Sequence, residues 1–293
     1  MKAKPIDLIG TRVANRYDVT SLLGSGGMAN VFKAVDRLLQ RDVAIKILSE
    51  QSEAIRHRFL LEARSLARLN HPGIVAVYDA GESAGIPYIV MELADGPTLA
   101  EAAAMGLTIG FTVRATIGLL DALHYAHEND VLHRDVKPSN IIVRSDGSVK
   151  IMDFGLSRRI SDLSEGTQAG EIAGTISYLP PERFLGKPVD ARGDLYSLGI
   201  ILYELFTGVL PFRNDQNDLV AVVFAHVNEP APAPSKHNAK VTPELERIVL
   251  KLIEKDPEAR YQSARELQDD LRSYLSVRPE ADDVRIEPQQ RGR

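Results

Sequence analysis

His133-Arg134-Asp135-Val136-Lys137-Pro138-Ser139-Asn140, with Asp153-Phe154-Gly155 eighteen residues past Asp135, gathers two carboxylates, an ammonium and an amide into one short polar interval. Apolar runs bracket it: Val131-Leu132 before, then Ile141-Ile142-Val143 and Val149-Lys150-Ile151-Met152, which read as short strands around a turn at Ser145-Asp146-Gly147-Ser148. Strand ends would present Asp135, Lys137, Asn140 and Asp153 together. Turn chemistry alone accounts for one or two of them, since Asp, Asn and Ser bond nearby backbone. It gives no reason for Lys137 between Asp135 and Asn140. The chemistry that uses such a set is phosphoryl transfer, in which charge spread over phosphoryl oxygens is met by positioning, metal ions and cations. One carboxylate takes the proton of an incoming hydroxyl. Another, with an amide oxygen, suits Mg²⁺, a hard cation that prefers oxygen ligands.

HRDVKPSN followed by DFG resembles the catalytic and metal loops of the protein kinases. The resemblance implies that Asp135 orients and deprotonates a substrate hydroxyl and Lys137 offsets charge on the moving phosphoryl group. By the same resemblance Asn140 and Asp153 hold Mg²⁺, with Mn²⁺ as a substitute. His133 then serves as a scaffold of the loop. A zinc reading of His124, His127 and His133 lacks the H-E-x-x-H spacing.

Composition sets the frame. The 293 residues are enough for one large domain or two smaller ones, and 44% hydrophobic with 26% charged residues is an ordinary globular balance. A net charge of −5 offers no overall nucleic-acid footprint. The absence of cysteine excludes disulfides and thiolate chemistry and suits a reducing compartment. Met1-Lys2-Ala3-Lys4 has no apolar run after it of the kind a secretory leader needs, and Leu219–Ala225 is far short of a membrane span. The expectation is a cytoplasmic chain.

Residues 1–16 read as a polar lead-in. From Tyr17 the pattern turns strand-like, and Gly24-Ser25-Gly26-Gly27-Met28-Ala29 separates two strands. Such a turn can lay backbone N–H groups over a polyphosphate. It also fits a dinucleotide fingerprint, but Asn30 to Val35 continues as a strand where that motif needs a helix. The next strand, Val43 to Leu48, places Lys46 among apolar neighbours, where an ammonium requires a partner. In the helix expected over 52–69, Ile55, Phe59, Glu62 and Leu66 share one stripe, so Glu62 is that partner. Both features match the kinase strand lysine and helix glutamate. Ala29 stands at the family's third glycine position, which alters loop flexibility rather than ATP binding. By resemblance, Leu23, Val31 and Ala44 line the nucleotide site. Two more strands are expected near Ile74–Tyr78 and Pro87–Met91.

Gly96-Pro97 breaks the pattern after Met91-Glu92-Leu93-Ala94, and the domain boundary is placed there. The resemblance makes this the hinge, with Met91 lining the adenine pocket and Glu92 to Ala94 supplying backbone hydrogen bonds. Helices follow over 108–129, 190–207, 215–227, 242–253 and 263–275. Asp153 to Glu182 resembles an activation segment that closes in Pro180-Pro181-Glu182. Thr167 is its leading phosphorylation candidate and Arg134 the residue placed to receive the phosphate. Thr175 after Gly174 resembles the substrate platform of the serine/threonine class. Asp194, on an apolar helix face, is read as a structural acid that needs backbone donors from the catalytic loop. Arg260 is read as the partner of Glu182. From Ser276 onward no periodicity remains, which reads as a disordered tail.

The expectation is an α+β bilobal protein-kinase-like fold: lead-in 1–16, small lobe 17–92 with a five-stranded antiparallel sheet and one helix, mainly helical lobe 93–275, tail 276–293. The function expected is transfer of the ATP γ-phosphoryl group to Ser/Thr hydroxyls of proteins, activated by phosphorylation of the activation segment. The motifs most resemble the eukaryotic-like serine/threonine kinases of bacteria. Expected partners are protein substrates and a second copy for autophosphorylation, with no nucleic acid and no membrane segment. Two alternatives are a pseudokinase scaffold, which commonly lacks a counterpart of Lys46, Asp135 or Asp153, and a small-molecule phosphotransferase of related fold.

Overall fold

Alternation of β-branched and aromatic residues builds the strands of the first unit into one antiparallel sheet. In this computed structural model, residues 8–26, 29–49, 52–154, 176–213, 218–282 and 284–286 are described, without the side chains of Ala54, Arg58, Glu62 and Asp282. The chain divides into two compact units, Met1–Ala94 and Asp95–Arg293.

In the first unit the five expected strands are present: β2 (Tyr17–Ser25), β3 (Ala29–Asp36), β4 (Arg41–Leu48), β5 (Val77–Ser83) and β6 (Ile86–Met91). A sixth, β1 (Arg12–Val13), pairs with β2 at the sheet edge, so the order is β1-β2-β3-β4-β6-β5. A two-residue strand carries no periodicity, which is why the lead-in reads as irregular. One face of the sheet buries Tyr17, Val19, Phe32, Ala34, Val43, Ile45, Ile47, Tyr88 and Val90 as a core. Strand β5 begins later than expected. The apolar pair Ile74-Val75 is buried but precedes it, and β5 itself has exposed alternate positions that hydrophobicity cannot flag. Helix α1 (Glu53–Leu66) buries Phe59, Ala63 and Leu66 and ends earlier than expected, at an Ala67 cap.

The second unit is mainly helical. Helix α2 (Leu99–Ala104), which the sequence reading lacks, is closed by a capping box between Thr98 and Glu101. Helix α3 (Ile109–Glu128) follows with Thr108 as its N-cap, and its buried stripe includes Val113, Leu120 and Leu123. The helix Ala191–Thr207 starts at an Asp190 cap and stops at Gly208, whose φ of 75° suits glycine. Helices Leu219–Asn228, Pro243–Leu252 and Ala264–Val277 complete the unit. Gly96 earns its identity from crowding: a Cβ there would collide with the Val143 backbone, next to the bond from Val143 N to Pro97 O (2.9 Å).

The last described residues correct part of the sequence reading. Residues expected to be a disordered tail form a 3₁₀ turn, Pro279–Asp282, and a strand β10 (Arg285–Ile286) antiparallel to β7 (Leu107–Thr108). Ile109 N donates to Val284 O (2.9 Å), and Ala281 and Ile286 are buried. Two isolated apolar anchors in a charged stretch leave no period to read.

Candidate active site

Strands β8 (Ile141–Val143) and β9 (Val149–Ile151) pair with Ile141 opposite Ile151, and Met152 N donates to Asn140 O (2.9 Å). That register sets Asn140 and Asp153 at adjacent strand ends. Asn140 closes a single 3₁₀ turn, Pro138–Asn140. Its Nδ2 donates to the Asp135 carbonyl (2.8 Å) and to Asp135 Oδ2 (3.1 Å), while Lys137 Nζ lies 2.9 Å from the same Oδ2. Asp135, Lys137 and Asn140 therefore converge. With its nitrogen turned to Asp135, Asn140 keeps its Oδ1 free of hydrogen bonds among the described residues. An oxygen so placed, beside an aspartate, is a donor set that a hard divalent cation accepts. Asp153 itself has a φ of 58°, a left-handed conformation unusual for a residue with a side chain.

The loop is held from behind by Asp194. Its Oδ2 accepts His133 N (2.9 Å) and pairs with His127 Nε2 (2.8 Å), and its Oδ1 accepts Arg134 N (2.8 Å). The backbone donors match the expectation for Asp194. His127 does not come from that expectation: only the fold brings it to an acid 67 residues away. Burial opposes ionisation of Asp194, but the His127 hydrogen bond and the His133 amide outweigh it and hold the carboxyl below its ordinary range. Arg134 adopts a φ of 64°, so the residue before Asp135 is fixed in the left-handed region by that acid.

His133 joins the two halves of the motif. Its Nδ1 accepts Asp135 N (3.2 Å), so Nε2 carries the proton and donates to Met152 O (3.0 Å). The ring lies 4.6 Å from that of Phe154. Complete burial pushes its pKa down, which agrees with a neutral ring.

Glu182 and Arg260 form a two-pronged pair, Nη1 to Oε1 at 2.9 Å and Nη2 to Oε2 at 2.8 Å, both side chains buried. Arg260 also donates to Glu254 O (2.8 Å) and Lys255 O (3.0 Å). Tyr178 donates to Glu204 (2.5 Å), a contact the sequence reading lacks. Ile176 packs with Val222 on the helix Leu219–Asn228. Arg134 is exposed. Thr167 and Thr175 lie outside the described residues.

In the first unit, β3–β4 and β4–β6 registers place Val31 opposite Lys46, Lys46 opposite Ile89, and Ala44 opposite Met91. Val31, Ala44, Lys46 and Met91 thus share the face opposite the Phe32–Ile45 core. Lys46 is buried; the side chain of Glu62, its expected partner, lies outside the described residues, as do Gly27 and Met28. Leu23 is exposed beside Gly24 and Ser25 at the end of β2. Gly26 N donates to Ala29 O (3.1 Å) across the turn. Neither Gly24 nor Gly26 has a positive φ; among the described residues a Cβ on Gly24 would meet nothing within 4 Å, and one on Gly26 only Ala29 O at 3.5 Å. The described part of the fold therefore tolerates side chains at both positions. Glu92 N donates to Ala76 O (2.8 Å).

Comparison with known proteins agrees with this geometry. A model of the protein kinase domain matches residues 17–271. The chain belongs to the protein kinase family. Relatives of this kinase domain include a probable serine/threonine-protein kinase, SCO3848, of Streptomyces coelicolor, 46% identical over 278 residues that cover 92% of this chain and 41% of the relative. The serine/threonine-protein kinase PknB of Mycolicibacterium smegmatis is 42% identical, covering 93% of this chain and 45% of its own length. The chain thus spans less than half the length of these curated relatives. Among solved structures, the kinase domain of Mycobacterium tuberculosis PknI matches with a TM-score of 0.72 at 27% identity, over 90% of this chain and 98% of that one. The fold is protein-kinase-like. Among the described residues no helix is long and apolar enough to cross a membrane.

Proposed function

We propose that this kinase domain transfers the γ-phosphoryl group of ATP to serine and threonine hydroxyls of protein substrates with Asp135 as the base. The carrying observation is the convergence of Lys137 Nζ and Asn140 Nδ2 on one Asp135 oxygen, at 2.9 and 3.1 Å. A carboxylate held by two donors has a fixed direction, and its other oxygen can meet the incoming hydroxyl. On proton transfer from that hydroxyl, Lys137 offsets negative charge on the phosphoryl group. Asn140 Oδ1 and Asp153 would hold Mg²⁺, or Mn²⁺ in its place; the ion neutralises phosphate charge when bound. Lys46, positioned by Glu62, would contact the α- and β-phosphates.

Gly24 to Ala29 would cover the phosphates. The support is that nothing among the described residues requires glycine at 24 or 26, whereas close approach of a ligand to the backbone does. Leu23, Val31, Ala44 and Met91 would line the adenine and ribose. Because Glu92 N is committed to Ala76 O, an adenine contact at Glu92 falls to its carbonyl, with the Ala94 backbone beside it.

Phosphorylation in the activation segment, with Thr167 foremost, would raise activity through charge pairing at Arg134, and Thr175 would shape the serine/threonine acceptor site. Autophosphorylation between copies and a cytoplasmic setting complete the reading. Phosphopeptide mapping after incubation with ATP and Mg²⁺ tests it, wild type beside Thr167→Ala. Phosphoserine and phosphothreonine on a generic protein are expected, with Thr167 among the modified sites. Unchanged activity and an unchanged map in Thr167→Ala would remove that residue from regulation.

A further inference from the structure

Asn30 is the polar residue of the glycine-rich hairpin that neither the motif nor the core explains. Along β3 the even positions Phe32, Ala34 and Asp36 are buried, while Val31 takes the other face opposite Lys46. Asn30 has the same parity as Phe32 and is only 8% exposed. Its amide therefore points away from Lys46. A buried amide requires hydrogen-bond partners.

It has two. Ser25, directly opposite across the β2–β3 ladder, donates its hydroxyl to Asn30 Oδ1 (2.7 Å). Asn30 Nδ2 in turn donates to Ser49 Oγ (2.6 Å), one residue past the end of β4. Ser25 stands between Gly24 and Gly26, and β4 carries Lys46. One amide thus ties the outgoing strand, the returning strand and the lysine strand at the end where the turn projects. A backbone bond from Gly26 to Ala29 adds a further constraint.

We propose that Asn30 is a positioning residue for the nucleotide. It braces the Ser25–Gly26 end of the glycine-rich hairpin from the core side, so that the amides there keep a fixed spacing from the strand that carries Lys46 before ATP arrives. A turn ordered in advance loses less conformational freedom on binding. The inference rests on the reading that this turn covers the ATP phosphates.

The full chain tests it, with kcat, the KM for ATP and the KM for a protein substrate measured for wild type, Asn30→Ala, Ser25→Ala and the double variant. Gly26→Val serves as the loop control, since its Cβ makes only an ordinary contact in the fold. Asn30→Ala is expected to raise the KM for ATP about fivefold, the equivalent of one net hydrogen bond. The protein-substrate KM should hold. The double variant should do no more than Asn30→Ala, because Ser25 acts through it. Amide exchange at Gly26 should quicken in the nucleotide-free chain. If Asn30→Ala does not fold, Ser25→Ala carries the test, as Ser25 is exposed and its loss leaves the core intact.

An ATP KM unmoved by Gly26→Val would overturn the loop reading itself. An ATP KM raised by Gly26→Val but unmoved by Asn30→Ala and Ser25→Ala would overturn the brace alone. Both KM values rising together with a lower melting temperature would make Asn30 a fold residue and nothing more.

Discussion

Asp194 Oδ1 accepts the Arg134 N–H at 2.8 Å and pins Arg134 at a φ of 64°, one residue before Asp135. The direction of the proposed base is thus set by an acid on another helix, which also gathers His127 and the His133 amide. Asp194→Asn exchanges one acceptor oxygen for a donor amino group. At least one of the three donors is then left unsatisfied, at about 1–3 kcal/mol. Misplacement of Asp135 should lower kcat about a hundredfold while the KM for ATP changes little. Steady-state kinetics alongside an unfolding curve separate the two effects, and an unchanged kcat in a folded variant would break the link between Asp194 and the base.

The Glu182–Arg260 pair lies in the core, so the small value of surface pairs does not apply to it. Arg260→Met leaves the Glu182 carboxylate buried without its cation, at a cost of about 3–5 kcal/mol. Glu182→Gln with Arg260→Met should recover part of that loss. Urea unfolding measures both, and a loss under about 1 kcal/mol for Arg260→Met would class the pair with exposed ones.

Acid should weaken the fold through His226. Burial first, then the Lys255 cation, pushes its pKa down to about 3. The ring faces Tyr196, whose hydroxyl lies 2.9 Å from Nδ1, with Phe184 and Phe212 against it. An unfolded histidine takes up a proton near pH ~6.5. Between that value and about 3 the unfolded chain binds more protons, so stability falls as pH falls through this window, by up to about 1.4 kcal/mol per pH unit. His133, also pushed down by burial, adds in the same direction. His226→Gln keeps a partner for Tyr196 and should flatten the slope of unfolding free energy between about pH 6.5 and 5. Equal slopes for the two proteins would contradict the assignment.

The strand Arg285–Ile286 should contribute to stability although it lies beyond the residues matched by the family model. Ile286→Asp places a charge where an apolar side chain is buried and should cost at least about 2 kcal/mol. Exchange at the Ile109 amide, whose acceptor is Val284 O, should quicken in step. Undiminished protection of Ile109 would show that the strand is dispensable.

How far the sequence reveals this depends on the kind of constraint. Asp135, Lys137 and Asn140 are legible because their chemistry lies within six consecutive residues, and the strands after them show in apolar runs. Asp194 and Arg260 are legible as polar residues that a buried position forces to find partners. His127 and Asn30 are not. Each acts through a contact made by strand pairing or helix packing, and neither breaks a local pattern. Helix α2 escapes because Leu99–Ala104 is too short for a period, and β10 because two buried anchors in a charged run mimic a tail.

The most direct measurement is the turnover of Asp135→Asn against wild type, with ATP, Mg²⁺ and a serine- and threonine-containing protein, and with ATP binding followed separately. The account requires a fall in kcat of about 10²- to 10⁴-fold with nucleotide affinity retained. Turnover equal to wild type in that variant would contradict it.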